Sequence, residues 1–477
     1  MTHPFRSWLC PCFGIMFCVA FVDDAKAQTY DGETPVAASD ALVMGDWLFR
    51  PYLELRSQAE FRFHPFDVGG TMITTRPSSS PIGGTQAEVE KQWWVLSRGR
   101  MGLSAERGYL RAVLELQDAR LWGELSPLRL DARDRLPSTG ARLAYGEVRG
   151  VGSRASFLRI GRQQVVWGDG RLLGASDFSP TGRSLDAVRG QWVLGDFDLE
   201  GFSSILVSPG AAPAPMRRET LGSPEGMGTH LHGLRLAWHI APWLHLQSNN
   251  LGRFARFPTE HLIDPGDLYL TGLRVWGGYV GVSYALEGAY EAGRDAAVGS
   301  TRSRSAWAVA ANANYETGLW WNLGLGVEGA YATGQKKGES AITRFDPMLP
   351  DNRVGRDAMG LVAWSNVIDV GATATLSPHD DAQLVFGYRY LAMAEPSDGW
   401  QTADMVFVGE APNNDESFLG HELDARMRLS PWGPLDVEAG YGLFLTGPGA
   451  KNVLEASGRG RPNLQHYGYL QTTFRIP

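Results

Sequence analysis

Cysteine is nearly missing from this chain, and beyond residue 18 there is none. The three present, Cys10, Cys12 and Cys18, all fall within one N-terminal apolar stretch, Trp8 to Val22. The remainder of the chain can hold no disulfide framework and no thiolate metal site. Lysine is almost as scarce. Of 44 basic residues only Lys26, Lys91, Lys336, Lys337 and Lys451 are lysine, which leaves 39 arginines. Against them stand 52 acidic residues, for a net charge of −8. That balance, with no basic cluster, argues against a nucleic-acid partner. Past residue 27 no apolar run approaches the roughly 20 residues that a spanning helix needs. Site motifs are missing as well. His421-Glu422 lacks the second histidine of a zinc helix, and the ten histidines are scattered, so no metal site is expected. No G-x-S-x-G elbow occurs. Gly324 to Gly329, GLGVEG, matches a dinucleotide fingerprint but lies in an alternating strand with no helix after it. Neither a cofactor nor a catalytic residue is expected.

What is present begins with the leader. Arg6 precedes the apolar stretch, and Ala25-Lys26-Ala27 follows it. A basic start, a short apolar segment and a small-x-small site describe a secretory signal peptide over residues 1–27. A short periplasmic segment over 28–44 and a barrel over 45–477 complete the expected organisation.

Period-two alternation runs through most of the sequence. In RPYLELRSQAEFRF, Arg50 to Phe63, the residues Leu53, Leu55, Ala59 and Phe61 share one face. Glu54, Arg56, Gln58, Glu60 and Arg62 share the other. That is a half-buried strand. Further strands are expected at about 93–105, 109–121, 142–150, 156–167, 184–194, 197–207, 231–240, 243–254, 267–277, 279–290, 305–316, 319–333, 360–376, 382–393, 418–430, 435–445 and 465–476. Tight breaks at Glu106-Arg107-Gly108, Gly195-Asp196, Ile240-Ala241-Pro242 and Gly277-Gly278 alternate with long polar stretches. Those stretches are 63–92, 122–141, 168–183, 208–230, 255–266, 291–304, 334–359, 394–417 and 446–464. About 18 strands with short periplasmic turns and long extracellular loops describe an all-β, antiparallel, up-and-down transmembrane barrel of a Gram-negative outer membrane. A soluble sandwich or solenoid would lack the long/short alternation. Trp93, Trp94, Trp122, Trp167, Trp243, Trp276, Trp320, Trp321 and Trp432 fall near expected strand ends, as an interfacial girdle would. In the last segment, HYGYLQTTFRI, residues Gly468, Leu470, Thr472, Phe474 and Ile476 share a face, as a closing strand would require.

Several stretches resemble the bacterial alginate export family. They are Leu114 to Glu124 (LELQDARLWGE), Leu158 to Gly174 (LRIGRQQVVWGDGRLLG) and Gly182 to Arg189 (GRSLDAVR). Further on come Gly329 to Gly334 (GAYATG), Arg344 to Pro350 (RFDPMLP), Trp364-Ser365-Asn366, Leu419 to Leu429 (LGHELDARMRL) and Val437 to Gly447 (VEAGYGLFLTG). Their order from about residue 90 onward carries more than any one of them. The resemblance implies an 18-stranded barrel, an arginine-lined lumen, loops covering one or both mouths, and an anionic polysaccharide as cargo. Outer-membrane lipid and periplasmic polysaccharide-export proteins are the implied partners.

The residues support the lining separately. Arg98 and Arg100 alternate with Gly99 and Met101, and Arg111 shares a face with Glu115 and Gln117. Arg426 and Arg428 share one with Glu422 and Asp424, and Arg389 alternates with Tyr388. An arginine on the lipid face costs about 2–4 kcal/mol at mid-membrane, so these side chains are expected to face inward. Polar residues occupy both faces around Gly161, where a bulge would re-aim Arg162 and Arg171. The expected substrate path is therefore Arg98, Arg100, Arg111, Arg162, Arg171, Arg389, Arg426 and Arg428. Such arginines either brace the wall through ion pairs or pass carboxylates along it. A substrate-selective porin for small anionic solutes or oligosaccharides is the alternative function, and an outer-membrane lipase or protease the rival of another class.

Overall fold

A computed structural model describes residues 41–63, 91–123, 138–150, 152–153, 155–207, 228–255, 266–297, 300–353, 358–458 and 460–476. Eighteen strands close one antiparallel barrel. In chain order they are β1 (Trp47–Phe63), β2 (Lys91–Arg107), β3 (Leu110–Gly123), β4 (Ser138–Arg149), β5 (Phe157–Gln163) and β6 (Leu185–Leu194). Next come β7 (Phe197–Val207), β8 (Thr229–Ala241), β9 (Leu244–Ala255), β10 (Gly266–Tyr279), β11 (Val282–Ala297) and β12 (Ser300–Glu316). The last six are β13 (Gly324–Ala332), β14 (Val367–His379), β15 (Ala382–Ala392), β16 (Phe418–Trp432), β17 (Leu435–Thr446) and β18 (Leu464–Ile476). Each pairs with its neighbour in sequence. The seam joins β18 to β1, from Leu53↔Ile476 to Phe63↔His466. Leu42–Met44 adds a short strand against Trp47–Phe49. Closure leaves no unpaired edge in lipid, where a bare N–H or C=O would cost several kcal/mol. Among the described residues no helix is long and apolar enough to cross a membrane.

Side chains alternate as the pattern requires. On β1, Leu55 and Phe61 are exposed outward, while Glu54, Arg56, Gln58 and Glu60 are buried in the interior. On β18, Leu470, Phe474 and Ile476 face outward and Tyr467 and Tyr469 inward. One register row on the outer face runs Ala144, Arg162, Asp186, Ile205, His230, Phe254, Asp267, Arg294 and Ser303 across β4 to β12. Its charged members mark the loop-side edge of the apolar belt. Trp93 and Trp122 are exposed at the loop ends of their strands, and Trp243, Trp320, Trp321 and Trp432 at the turn ends. Trp94, Trp167 and Trp276 are buried instead, so the girdle expectation fails for those three.

Turn positions differ in places from the expected ones. The β10–β11 turn is Val280-Gly281 rather than Gly277-Gly278, with φ of 47° and 76°. Positive φ at both central residues is what a type I′ hairpin needs. The expected loop 291–304 is ladder instead, since β11 and β12 stay paired as far as Ala297↔Ser300. The expected loops 63–92, 122–141, 208–230 and 255–266 lie mostly outside the described residues, as does the leader. The strand expected over 156–167 stops at Gln163, and that over 360–376 starts only at Val367. In both cases the missing part turns into the barrel.

Two connections fill the interior. Residues 164–184, between β5 and β6, and residues 333–353 and 358–366, between β13 and β14, meet inside the wall. There Gly174 N–H donates to the Leu349 carbonyl at 2.9 Å and Asp351 N–H to the Gly170 carbonyl at 2.8 Å. Leu172, Leu173, Phe345 and Met348 pack with Trp167 and Trp364 against a wall of small residues, Ala289, Ala306, Ala308 and Ala310. A second cluster caps the loop end. There α1 (Pro448–Ala456) buries Ala450, Val453 and Leu454 with Leu361, Trp400, Leu419 and Phe444. The main apolar clusters thus form around the loops, not between layers of sheet.

Candidate functional site

The barrel interior is the candidate site, because the charged side chains of the strands converge there. Alternation sends Arg98 and Arg100 of β2, Arg111 of β3, Arg389 of β15 and Arg426 and Arg428 of β16 inward. Arg171 reaches the interior on the 164–184 connection, 3.1 Å from Asp169 and 5.8 Å from the Trp364 ring centroid. Arg162 does not. It shares the outward face of β5 with Leu158 and Ile160 and pairs with Asp186 at 3.3 Å, on the outer rim. The expected bulge is missing too. The β5 ladder keeps register through Gln163, and the irregularity is confined to Gly161, whose φ is 127°. Arg162 is therefore corrected from lumen to exterior.

Most of these guanidiniums meet carboxylates. Arg98 lies 2.6 Å from Glu54, and Arg100 donates to Gln117 at 2.8 Å. Arg389 is held by Asp369 and Glu328. Arg111 is 3.3 Å from Glu106, while Arg426 is 3.5 Å from Asp424. Arg428, the most open of the set, stands 3.7 Å from Asp436 near the turn-side mouth. The bracing role is thus present throughout.

Sequence reasoning missed part of the set. Arg142 contacts Glu115 at 2.8 Å, and Arg189 and Arg235 both reach Glu200 at 2.8 Å. Arg253 meets Asp346 at 2.6 Å, and Arg304 meets Asp295 at 3.0 Å. Arg274 lies over Trp276, 4.9 Å from its ring centroid. Arg235 alternates with the outward Leu234 and Leu236, so parity would have found it, whereas Arg142 is the extra residue of a β-bulge beside the buried Leu143, where parity fails. Asp177 carried no such signal, lying outside any strand.

The interior connections are pinned by charge. Asp177 receives Arg100 at 2.7 Å and Arg142 at 3.0 Å. Burial works against its charge, but Arg98, Arg100 and Arg142 outweigh it and hold the carboxyl well below the usual range. Asp346 is treated likewise by Arg253 and Arg304, and Asp169 by Arg171 and Arg274. Asp351 moves the other way, pushed up by burial. Beside the crossing, a small cavity of about 30 Å³ is lined by Arg171, Asp351, Trp364, Asp369 and Arg389. Among the described residues no cluster of three or more metal-ligating side chains occurs.

Comparison with known proteins agrees with this architecture. The model of the family described as alginate export matches residues 84–460. None of the curated proteins compared with the chain matches it. Among solved structures, Pseudomonas aeruginosa OccK11 (OpdR) is similar over 90% of this chain and 96% of its own, at 12% identity and a TM-score of 0.53. Acinetobacter baumannii OccAB2 is similar over 89% of this chain and 98% of its own, at 10% identity and a TM-score of 0.54. At such identities the likeness concerns the fold.

Proposed function

Since the chain belongs to the alginate export family, and is thereby a β-barrel channel of the outer membrane, we propose that it passes an anionic exopolysaccharide, alginate-like in its repeated carboxylates, out of the periplasm. The observation that supports this is the inward array of arginines paired with wall carboxylates, of which Arg426 and above all Arg428 stand open at the turn-side mouth. A guanidinium already shared with a wall carboxylate offers a polymer carboxylate a weak, forked contact. Such contacts admit a chain and release it again. No covalent step is required. Arg428 and Arg426 would meet the polymer first, at the turn-side mouth. Periplasmic export proteins would deliver it there.

The alternative is a small-solute reading, in which a porin for small anionic solutes or oligosaccharides would use the same arginines.

Planar-bilayer recording separates these readings. The exporter reading expects current to be blocked by polygalacturonate and not by dextran, with block weakened in the Arg426→Gln/Arg428→Gln variant. Equal block by dextran, or an unchanged variant, overturns it. Block by monomeric galacturonate equal to that by polymer, at matched carboxylate concentration, favours the porin.

A further inference from the structure

Asp177 is attached to the wall twice over, through its backbone and through its carboxylate, with Arg98 taking part in both. Its backbone region is held by Arg56, which donates to the carbonyls of Asp177, Phe178 and Ser179 at 2.7, 3.0 and 3.1 Å. Arg98 adds a bond to the Asp177 carbonyl at 3.0 Å, and Gln117 donates to the Thr181 carbonyl at 3.0 Å. The carboxylate is gripped as well. Arg100 and Arg142 both reach Oδ1, at 2.7 and 3.0 Å, and Arg98 approaches Oδ2 at 3.4 Å. Losing the second attachment leaves the first in place.

Exposure separates the partners sharply. The side chains of Arg98, Arg100 and Arg142 are 2%, 4% and 4% exposed, whereas that of Asp177 is 47% exposed. Glu54 and Glu115, which brace the same guanidiniums from behind, are 5% and 1% exposed. Asp177 is thus the only carboxylate of this cluster that a solute in the lumen meets. No solute touches the three arginines until Asp177 turns away.

From this we infer that Arg98, Arg100 and Arg142 form a carboxylate-binding site that the protein fills with its own Asp177, and that an acidic sugar enters it by exchange. The inference rests on the anion-passing reading above. Exchange substitutes one carboxylate for another, so the buried guanidiniums are never left short of negative charge. A neutral sugar offers no such substitution, which makes the step selective. Protonation is a poor release route, because the arginines keep the Asp177 carboxyl ionised at ordinary pH. The latch answers to a competing anion instead. Removing the internal competitor lowers the apparent dissociation constant by the factor that the self-filled state had imposed.

The test uses the full-length chain folded in detergent, with folding checked by heat-dependent gel migration and trigalacturonate titrated against tryptophan fluorescence. Asp177→Asn is expected to bind about tenfold tighter than the unaltered chain. Asp177→Ser should do the same, Asp177→Glu should return to weak binding, and Arg142→Gln added to Asp177→Asn should erase the gain. Maltotriose should bind none of them. Unchanged or weaker binding in both Asp177→Asn and Asp177→Ser overturns the exchange site. If Arg426→Gln/Arg428→Gln still loses polygalacturonate block in that case, the anion-passing reading stands without it. Should trigalacturonate bind no form of the protein, and polygalacturonate block none, both fall together.

Discussion

Glu200 is where three donors converge. Arg189 and Arg235 each lie 2.8 Å from its carboxylate, and the Trp167 indole N–H donates to it at 2.8 Å. All are buried, so the carboxylate is the counter-charge that lets two guanidiniums face the interior. Glu200→Gln removes that charge from between two buried guanidiniums. We expect a loss of about 3–5 kcal/mol, read as a lower denaturation midpoint in lipid vesicles. Arg162 is the opposite case. Its pair with Asp186 is exposed, with 44% and 61% of the two side chains accessible, so Arg162→Leu is expected to change stability by about 1 kcal/mol or less in the same assay. The two arginines are alike in sequence surroundings, and what separates them is parity. Leu158 and Ile160 precede Arg162 on its face, which was legible in the sequence and points outward. Asp177 was not legible, because these partners lie on two strands, 35 to 79 residues away in the chain.

At the scale of elements, eighteen strands form in the expected order, because each is defined by its own side chains and a neighbouring turn, although several ends differ from those that alternation suggests. The connections 164–184 and 333–366 could not be placed in that way. Their fold depends on contacts such as Gly174 with Leu349 and Asp346 with Arg253, which no local pattern announces. Replacing residues 168–183 with a short glycine-serine linker should leave the wall paired and heat-modifiable. Single-channel conductance should rise, and an unchanged conductance would mean that the segment does not obstruct the path. Docking should also survive mild acid. Asp177, Asp346 and Asp169 are held below the usual carboxylate range, so their contribution is present above the unfolded value and is lost only as pH falls through the lower, folded one. Asp351, shifted upward, favours the docked state as it takes up a proton. Tryptophan emission from Trp167 and Trp364 is therefore expected to stay constant between pH 7 and about 4. A transition near pH 5 would contradict these assignments.

For the molecule as a whole, the two faces of the wall make opposite demands. Leu273 is outward and 57% exposed within the apolar belt, on the strand that turns Arg274 inward. Leu273→Arg should cost about 2–4 kcal/mol in vesicle unfolding. A cost near zero would place the belt elsewhere on the cylinder. The family was legible because its stretches keep their order along the chain, while the cargo was not, since arginine recognises a carboxylate without recording which sugar bears it. The seam carries one consequence for biogenesis. Arg475 contacts Glu54, 421 positions away in the chain, at the junction that makes the wall continuous. Until residues 464–476 have been synthesised and exported, Trp47–Phe63 has no mate on that side. A polypeptide still lacking that last stretch therefore carries a naked, sticky margin along its first strand.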